Sequence, residues 1–234
     1  MTSRRAFLMG IAGVLFPSSA AADVLEDAAV RAEDVQRLRN RVELWQGFAS
    51  RSQNLLARYV SIRHSSLLAE PLVSTGTLMF VAPDRLVFHD DTPSGSTTEL
   101  IESGLRIVPN GGGPAIALDH DRAAAARWLA HKLRCLLGAG TVDELLTDAK
   151  AAVPRGSALR LELLPMRGSP TRRTIRSLLV RFEPLGGAVV ELELAEARGD
   201  RVHMTFSDHR QNLAADQLDT VRARMGSVIN GHTL

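Results

Sequence analysis

The 234-residue sequence has one cysteine, one tyrosine and two tryptophans, and only two of its 28 basic side chains are lysines. The single cysteine, Cys135, excludes an internal disulfide, so a folded chain of this size is held by its apolar core. The apolar run near the N-terminus falls well short of the roughly 20 residues a membrane-spanning helix needs. The motifs of common chemistries are also missing. Gly111-Gly112-Gly113 runs into Pro114 rather than a helix, so it is no phosphate loop. His64, with Ser65 and Ser66, has no nucleophile-elbow context. His120, Asp121 and His131 lack the spacing of a zinc site, which wants three or four convergent ligands, and Lys132 and Arg134 beside them repel a cation. Cys135, between Leu133 and Leu136, reads as a small buried apolar residue. The expectation is therefore no catalytic residue, no metal and no cofactor.

The first residues read as an export address. Arg4-Arg5 precede the apolar run, which ends by Phe16, and Ala20-Ala21-Ala22 offer a signal-peptidase site with cleavage after Ala22. Paired arginines ahead of Phe7-Leu8 fit either the general or the twin-arginine export route. No cysteine follows the site to take a lipid, so a soluble periplasmic protein is expected. Cleavage removes Arg4 and Arg5 and leaves 26 basic against 26 acidic side chains. That balance gives no support to nucleic-acid binding, which needs a concentrated cationic face. The organisation expected is a leader over 1–22, one domain over 23–225 and a flexible tail over 226–234.

Val35, Leu38, Val42 and Trp45 recur at three- and four-residue steps and predict a leading helix. From about Leu55 the texture turns to short alternating runs broken by Pro, Gly, Ser and Asp, the pattern of strands and tight turns. Leu78 and Phe80 share a face, as do Leu86 and Phe88, with further strands around 98–101, 105–108 and 115–118. Ala126, Leu129, Ala130, Leu133, Leu136 and Leu137 then mark a helix, with Gly138 placed to take a left-handed closing conformation. Thr141 and Glu144 form a capping box for a second helix whose buried side is Val142, Leu145, Leu146 and Ala149, ended by Pro154 and Gly156. Four alternating runs follow: Leu159, Leu161 and Leu163; Leu178, Val180 and Phe182; Val190, Leu192 and Leu194; Val202, Met204 and Phe206. Between them lie Arg160, Glu162, Arg181, Glu191, Glu193, His203 and Thr205, which predicts an antiparallel meander with one apolar and one wet face. Arg167, Arg172, Arg173 and Arg176 fall in one connector, which reads as a solvated loop or as a patch for lipid headgroups or an acidic partner.

The segment from Pro71 to Leu86, and within it Gly76, Leu78, Phe80, Pro83 and Leu86, resembles the small-Gly-x-Leu-x-aromatic-x-x-Pro-x-x-Leu stretch of LolA-type outer-membrane lipoprotein carriers. The order of elements is similar over most of the chain. The resemblance implies an α+β fold: a curved antiparallel sheet forming an unclosed β-barrel, with helices lidding the concave apolar face. It implies a monomeric carrier of acylated cargo, a lipoprotein or lipid-like metabolite, passed from an inner-membrane donor to an outer-membrane acceptor with transient membrane contact. Leu78, Phe80, Leu86, Phe88, Trp128, Phe182 and Phe206 are the expected cavity lining, Trp45 and Trp128 the expected lid, and Gly76, Pro83, Asp84 and Arg85 the family motif. Phe80→Glu is then expected to abolish acyl uptake in a folded protein. One departure stands out. Carriers of this type commonly have a basic residue just before the proline, where this chain has Ala82. Two other readings stay open: a lipid-sensing or scaffold module on the same fold, and a hydrolase or transferase of acylated substrates using Asp121 or His131.

Overall fold

The computed structural model describes residues 32–101, 104–119, 124–138, 140–152 and 160–225. The leader, the expected tail, and His120 and Asp121 lie outside these residues. Helix α1 (Ala32–Ala49) precedes six strands, β1 (Asn54–His64), β2 (Leu72–Val81), β3 (Arg85–Asp90), β4 (Ser96–Ile101), β5 (Gly104–Pro109) and β6 (Ile116–Asp119). Helices α2 (Ala124–Leu137) and α3 (Val142–Leu146) come next. They are followed by β7 (Ala149–Ala152), β8 (Arg160–Pro165), β9 (Ile175–Phe182), β10 (Val189–Glu196), β11 (Arg201–Gln211) and α4 (Ala215–Arg224).

All eleven strands belong to one antiparallel sheet in the order β6-β5-β4-β3-β2-β1-β11-β10-β9-β8-β7. Two meanders meet where β1 pairs with β11, Tyr59 opposite Phe206. The edge strands β6 and β7 do not pair, so the barrel is unclosed. The chain passes from one edge to the other through α2 and α3, so the helices lie over the opening.

The inner face carries the main core. Leu55, Leu78, Phe80, Leu86, Leu163, Leu178, Val180 and Phe182 are buried there against Trp45 of α1 and Cys135, Leu136 and Leu137 of α2. The rings of Trp45 and Phe182 sit 6.0 Å apart, and the Trp45 indole donates to the Leu136 carbonyl at 3.0 Å. This one side chain joins α1, α2 and β9.

Three local predictions are corrected. The helix begun by Thr141 stops at Leu146, although its capping box is present, because Thr147 is already extended and Asp148 has φ 54°. Ala149–Ala152 instead pairs with Pro165–Glu162 as β7 and covers the end of the second meander. In β10 the register slips between Val189 and Glu191, so Val189 is the buried residue and Val190 is the odd one of a bulge. Gly138 does not have a positive φ; its missing side chain makes room for the Phe80 ring, which a Cβ would meet at 2.6 Å.

The outer face is not uniformly wet. Leu56, Met79 and Val87 point outward and form a second, smaller core with Leu218 and Met225 of α4 and the turn after it. Period-2 alternation cannot show such a patch, because Leu55-Leu56 and Leu78-Met79-Phe80 are apolar on both sides of the strand. Further along, Glu191 is buried among the Arg160 and Arg181 guanidiniums and His203, with its Oε1 at 3.1 Å from Arg160 and 3.3 Å from His203.

Candidate functional site

The inner face is covered along only part of its length. Where β1 ends and β2 begins, a cavity of about 550 Å³ remains between the sheet and α2. Tyr59, Phe88, Leu100 and Leu105 form its sheet wall, and Ala126, Leu129, Ala130 and Leu133 form its helix wall. Arg63, Leu72, Val73, Val202 and Met204 line it toward the strand ends. The lining is mainly hydrocarbon; its polar members are Asp90, Thr92, Ser94 and Ser96 at the β3–β4 turn, with Ser61, Arg63, Ser74 and Thr98 on the neighbouring strands.

Gly76 builds the sheet wall. A Cβ there would stand 2.4 Å from the Tyr59 ring and 2.2 Å from the His89 carbonyl, so only glycine lets the Tyr59 ring lie over β2. The phenol reaches Asp90 Oδ1 at 2.8 Å, and its ring meets Phe88 edge-on at 5.8 Å. Burial, and then the adjacent Asp90 carboxylate, raise the Tyr59 pKa, so the hydroxyl stays neutral. Asn110 organises the β3–β4 turn beside the mouth, donating to the carbonyls of Asp90 at 2.7 Å and Thr92 at 2.9 Å.

Of the seven residues expected to line a cavity, Phe88 does so. Leu78, Phe80, Leu86, Phe182 and Phe206 belong to the packed core, and Trp128 is buried with its indole donating to the Asp148 carbonyl at 3.1 Å. Trp45, expected with Trp128 in a lid, is likewise buried and bonds the Leu136 carbonyl. Sequence reasoning missed Tyr59, Leu129, Leu133 and Met204 as lining, although Leu129, Leu133 and Met204 had been placed on apolar faces. Gly76 is in place beneath Tyr59. Pro83 and Asp84 border a separate recess of about 320 Å³ with His131 and Arg134, and Arg85 bonds Glu99 at 2.7 Å on β4.

His131 Nε2 lies 2.9 Å from the Glu144 carbonyl, and burial pushes the Cys135 thiol up to about 12. Among the described residues no group of three or more His, Cys, Asp and Glu could hold a metal ion.

Lys132 is the most unusual buried group. Fully covered beside Trp128, its ammonium donates to the carbonyl of Glu144 at 3.2 Å and to that of Thr147, capping the end of α3 from α2. Burial draws its pKa down to about 8 from the ordinary 10.5. Between those values the unfolded chain holds more protons than the folded one, so this group makes stability rise with pH. Cys135 and Tyr59, with raised pKa values, pull the other way above about pH 9. The readout is therefore a difference: urea stability of the wild type minus that of Lys132→Met should climb from pH 7.5 to 9, by at most roughly 3 kcal/mol over the full window. A flat difference would mean that Lys132 is not desolvated as described.

The molecule is thus an open antiparallel barrel with a partly filled apolar interior. No family model matches the sequence, and no curated protein matches it. Solved structures to which the chain is similar include a LolA superfamily protein from Nitrosomonas europaea, at 10% identity over 77% of this chain and 96% of that one, TM-score 0.40. Others are a lipoprotein-sorting protein domain from Vibrio parahaemolyticus (12% identity, 82% and 97% covered, TM-score 0.42) and the Mycobacterium tuberculosis lipoprotein LppX (10% identity, 80% and 100% covered, TM-score 0.42). At such distances the likeness carries no argument about this chain, whose fold rests on its own strand order.

Proposed function

We propose that the protein holds the hydrocarbon chains of a lipid or lipoprotein in the cavity under α2 and carries them through the periplasm without acting on them chemically. The observation that carries this reading is an unfilled, mainly apolar trough of about 550 Å³ beside the buried core of the described residues. That size is within the range of small-molecule sites. Each buried methylene contributes about 0.8 kcal/mol, so a chain of ordinary length is held by area alone. The reading draws further support from the polar side at Asp90 and Ser96, where a headgroup or peptide would remain hydrated, and from the protonated state of Cys135. The particular donor and acceptor belong to this proposal too.

The test is uptake of a fluorescent fatty acid by the purified protein. Leu133→Glu and Met204→Glu put a charge on the two walls at partly exposed positions, so the fold persists by circular dichroism while affinity falls at least about tenfold. Wild-type protein that takes up no probe, and carries no lipid in native mass spectrometry, overturns the proposal. Undiminished uptake by both variants places any lipid elsewhere.

A further inference from the structure

The mouth of the cavity lies at one end of the barrel, and three loops are stitched together there. The β1–β2 connection carries Ser65 and Ser66, which bond Asp200 of the β10–β11 turn at 2.8 and 3.0 Å. The Ala197 amide of that same turn donates to Thr174, at the end of the β8–β9 connection, at 2.8 Å. The three loops therefore form one continuous rim across six adjacent strands.

This rim has two properties that the rest of the surface does not explain. The β1–β2 loop holds Leu67 90% exposed and Leu68 46% exposed, and Leu72 and Val73, at 55% and 62%, continue the apolar surface from the loop into the cavity itself. Consecutive bare leucines on a loop tip gain nothing in water. Around them the rim is cationic: Arg63, Arg173, Arg176, Arg198 and Arg201 are all exposed. Against them stand Glu70, Glu196 and Asp200, with Asp90 and Asp91 on the β3–β4 turn at the same end; the Asp200 carboxylate is already taken by Ser65 and Ser66, Asp90 accepts from the Tyr59 phenol and Asp91 pairs with Arg58. In a chain that is neutral once its expected leader is removed, exposed arginines thus surround the end where Leu67, Leu68, Leu72 and Val73 make a continuous apolar surface and where the cavity opens.

We propose that this rim seats on an anionic phospholipid bilayer, with Leu67 and Leu68 entering the headgroup boundary and the surrounding arginines on lipid phosphates, so that the mouth faces the membrane. Apolar tips contribute burial, and basic side chains contribute attraction to the charged surface. Together they combine an apolar and an electrostatic signal, and two such signals hold a protein at a membrane more firmly than either alone. The orientation lets an acyl chain slide from the bilayer along Leu72 and Val73 without crossing water. It rests on the reading of the cavity as an acyl site, while the docking itself does not need cargo.

Cys135 is buried and is the chain's one cysteine, so Leu67→Cys carries an environment-sensitive fluorophore at the loop tip alone. On vesicles of phosphatidylcholine with about one part in three phosphatidylglycerol the probe should shift to the blue and brighten. The change should be lost on phosphatidylcholine alone, and should weaken with salt and in Arg173→Glu/Arg176→Glu. Leu67→Asp/Leu68→Asp should lower co-sedimentation with the anionic vesicles about tenfold and leave fatty-acid uptake in solution unchanged. An unshifted probe on anionic vesicles overturns the proposal. So does equal binding to both lipids, or sedimentation that the leucine variant does not change. A shifted probe in a protein that takes up no fatty acid upholds the docking and sinks the cavity reading instead.

Discussion

Phe80→Glu is expected to unfold the protein, not to leave a folded carrier that refuses cargo. Phe80 is wholly buried beneath Gly138, opposite Leu55 on one side and Leu86 on the other. Loss of the ring from such a site costs about 3–5 kcal/mol. A carboxylate put there without a partner adds several more, or stays protonated at a similar cost. Domains have about 5–15 kcal/mol in total, so the variant should lose its cooperative thermal transition. Phe80→Leu keeps an apolar group in place and should melt cooperatively, about 1–2 kcal/mol less stable. A folded Phe80→Glu protein with a native-like transition would mean that the interior beneath α2 is not packed.

Gly187→Ala should also be strongly destabilising, although Gly187 is on a turn. It has φ +79°, and a Cβ would stand 2.2 Å from the Leu44 carbonyl, so the β9–β10 turn and the last turns of α1 touch backbone to backbone. The left-handed conformation costs alanine roughly 1–2 kcal/mol, and the displaced helix adds about 1–3. Gly199 is the internal control, at φ +101° with open space around it. Gly199→Ala should bear only the conformational cost. Urea titration of the two variants should therefore separate them by at least about 1 kcal/mol, and equal losses would show that α1 can retreat from the turn freely.

Much of this architecture was legible in the chain. Alternation in Leu161–Leu163, Leu178–Phe182 and Val202–Phe206 marks the strands, and the Thr141–Glu144 capping box marks the start of α3, because both are local effects. The length of α3 was not legible. Ala149 suits a helix or a strand, and only Pro165 and Leu163 of β8, beyond the reach of a local pattern, decide between them. The bulge at Val190 was equally hidden, since Val189-Val190 offers two equivalent residues and register is fixed by the neighbouring strand.

The candidate site was the least legible part, for a definite reason. Alternation identifies which face of the sheet avoids water, but the filled and empty portions of that face have the same composition. Phe80 and Phe88 have the same residue type, the same strand-face assignment and opposite fates, because the turn at Gly138 covers one while the cavity borders the other. Tyr59 was invisible as a wall residue until Gly76 was seen to make room for it.

The unpaired edges β6 and β7 have a mechanical consequence. A closed barrel changes girth only by breaking strand hydrogen bonds, whereas here the segment between the two edges is held by side chains: Trp45 of α1 and Thr171 of the β8–β9 connection reach carbonyls at the two ends of α2, while Trp128 and Lys132 tie α2 to α3 and the turn after it. The ladder can therefore stay whole if α2 and α3 shift, much as a spring clip opens without bending its spine, because no strand hydrogen bond joins β6 to β7.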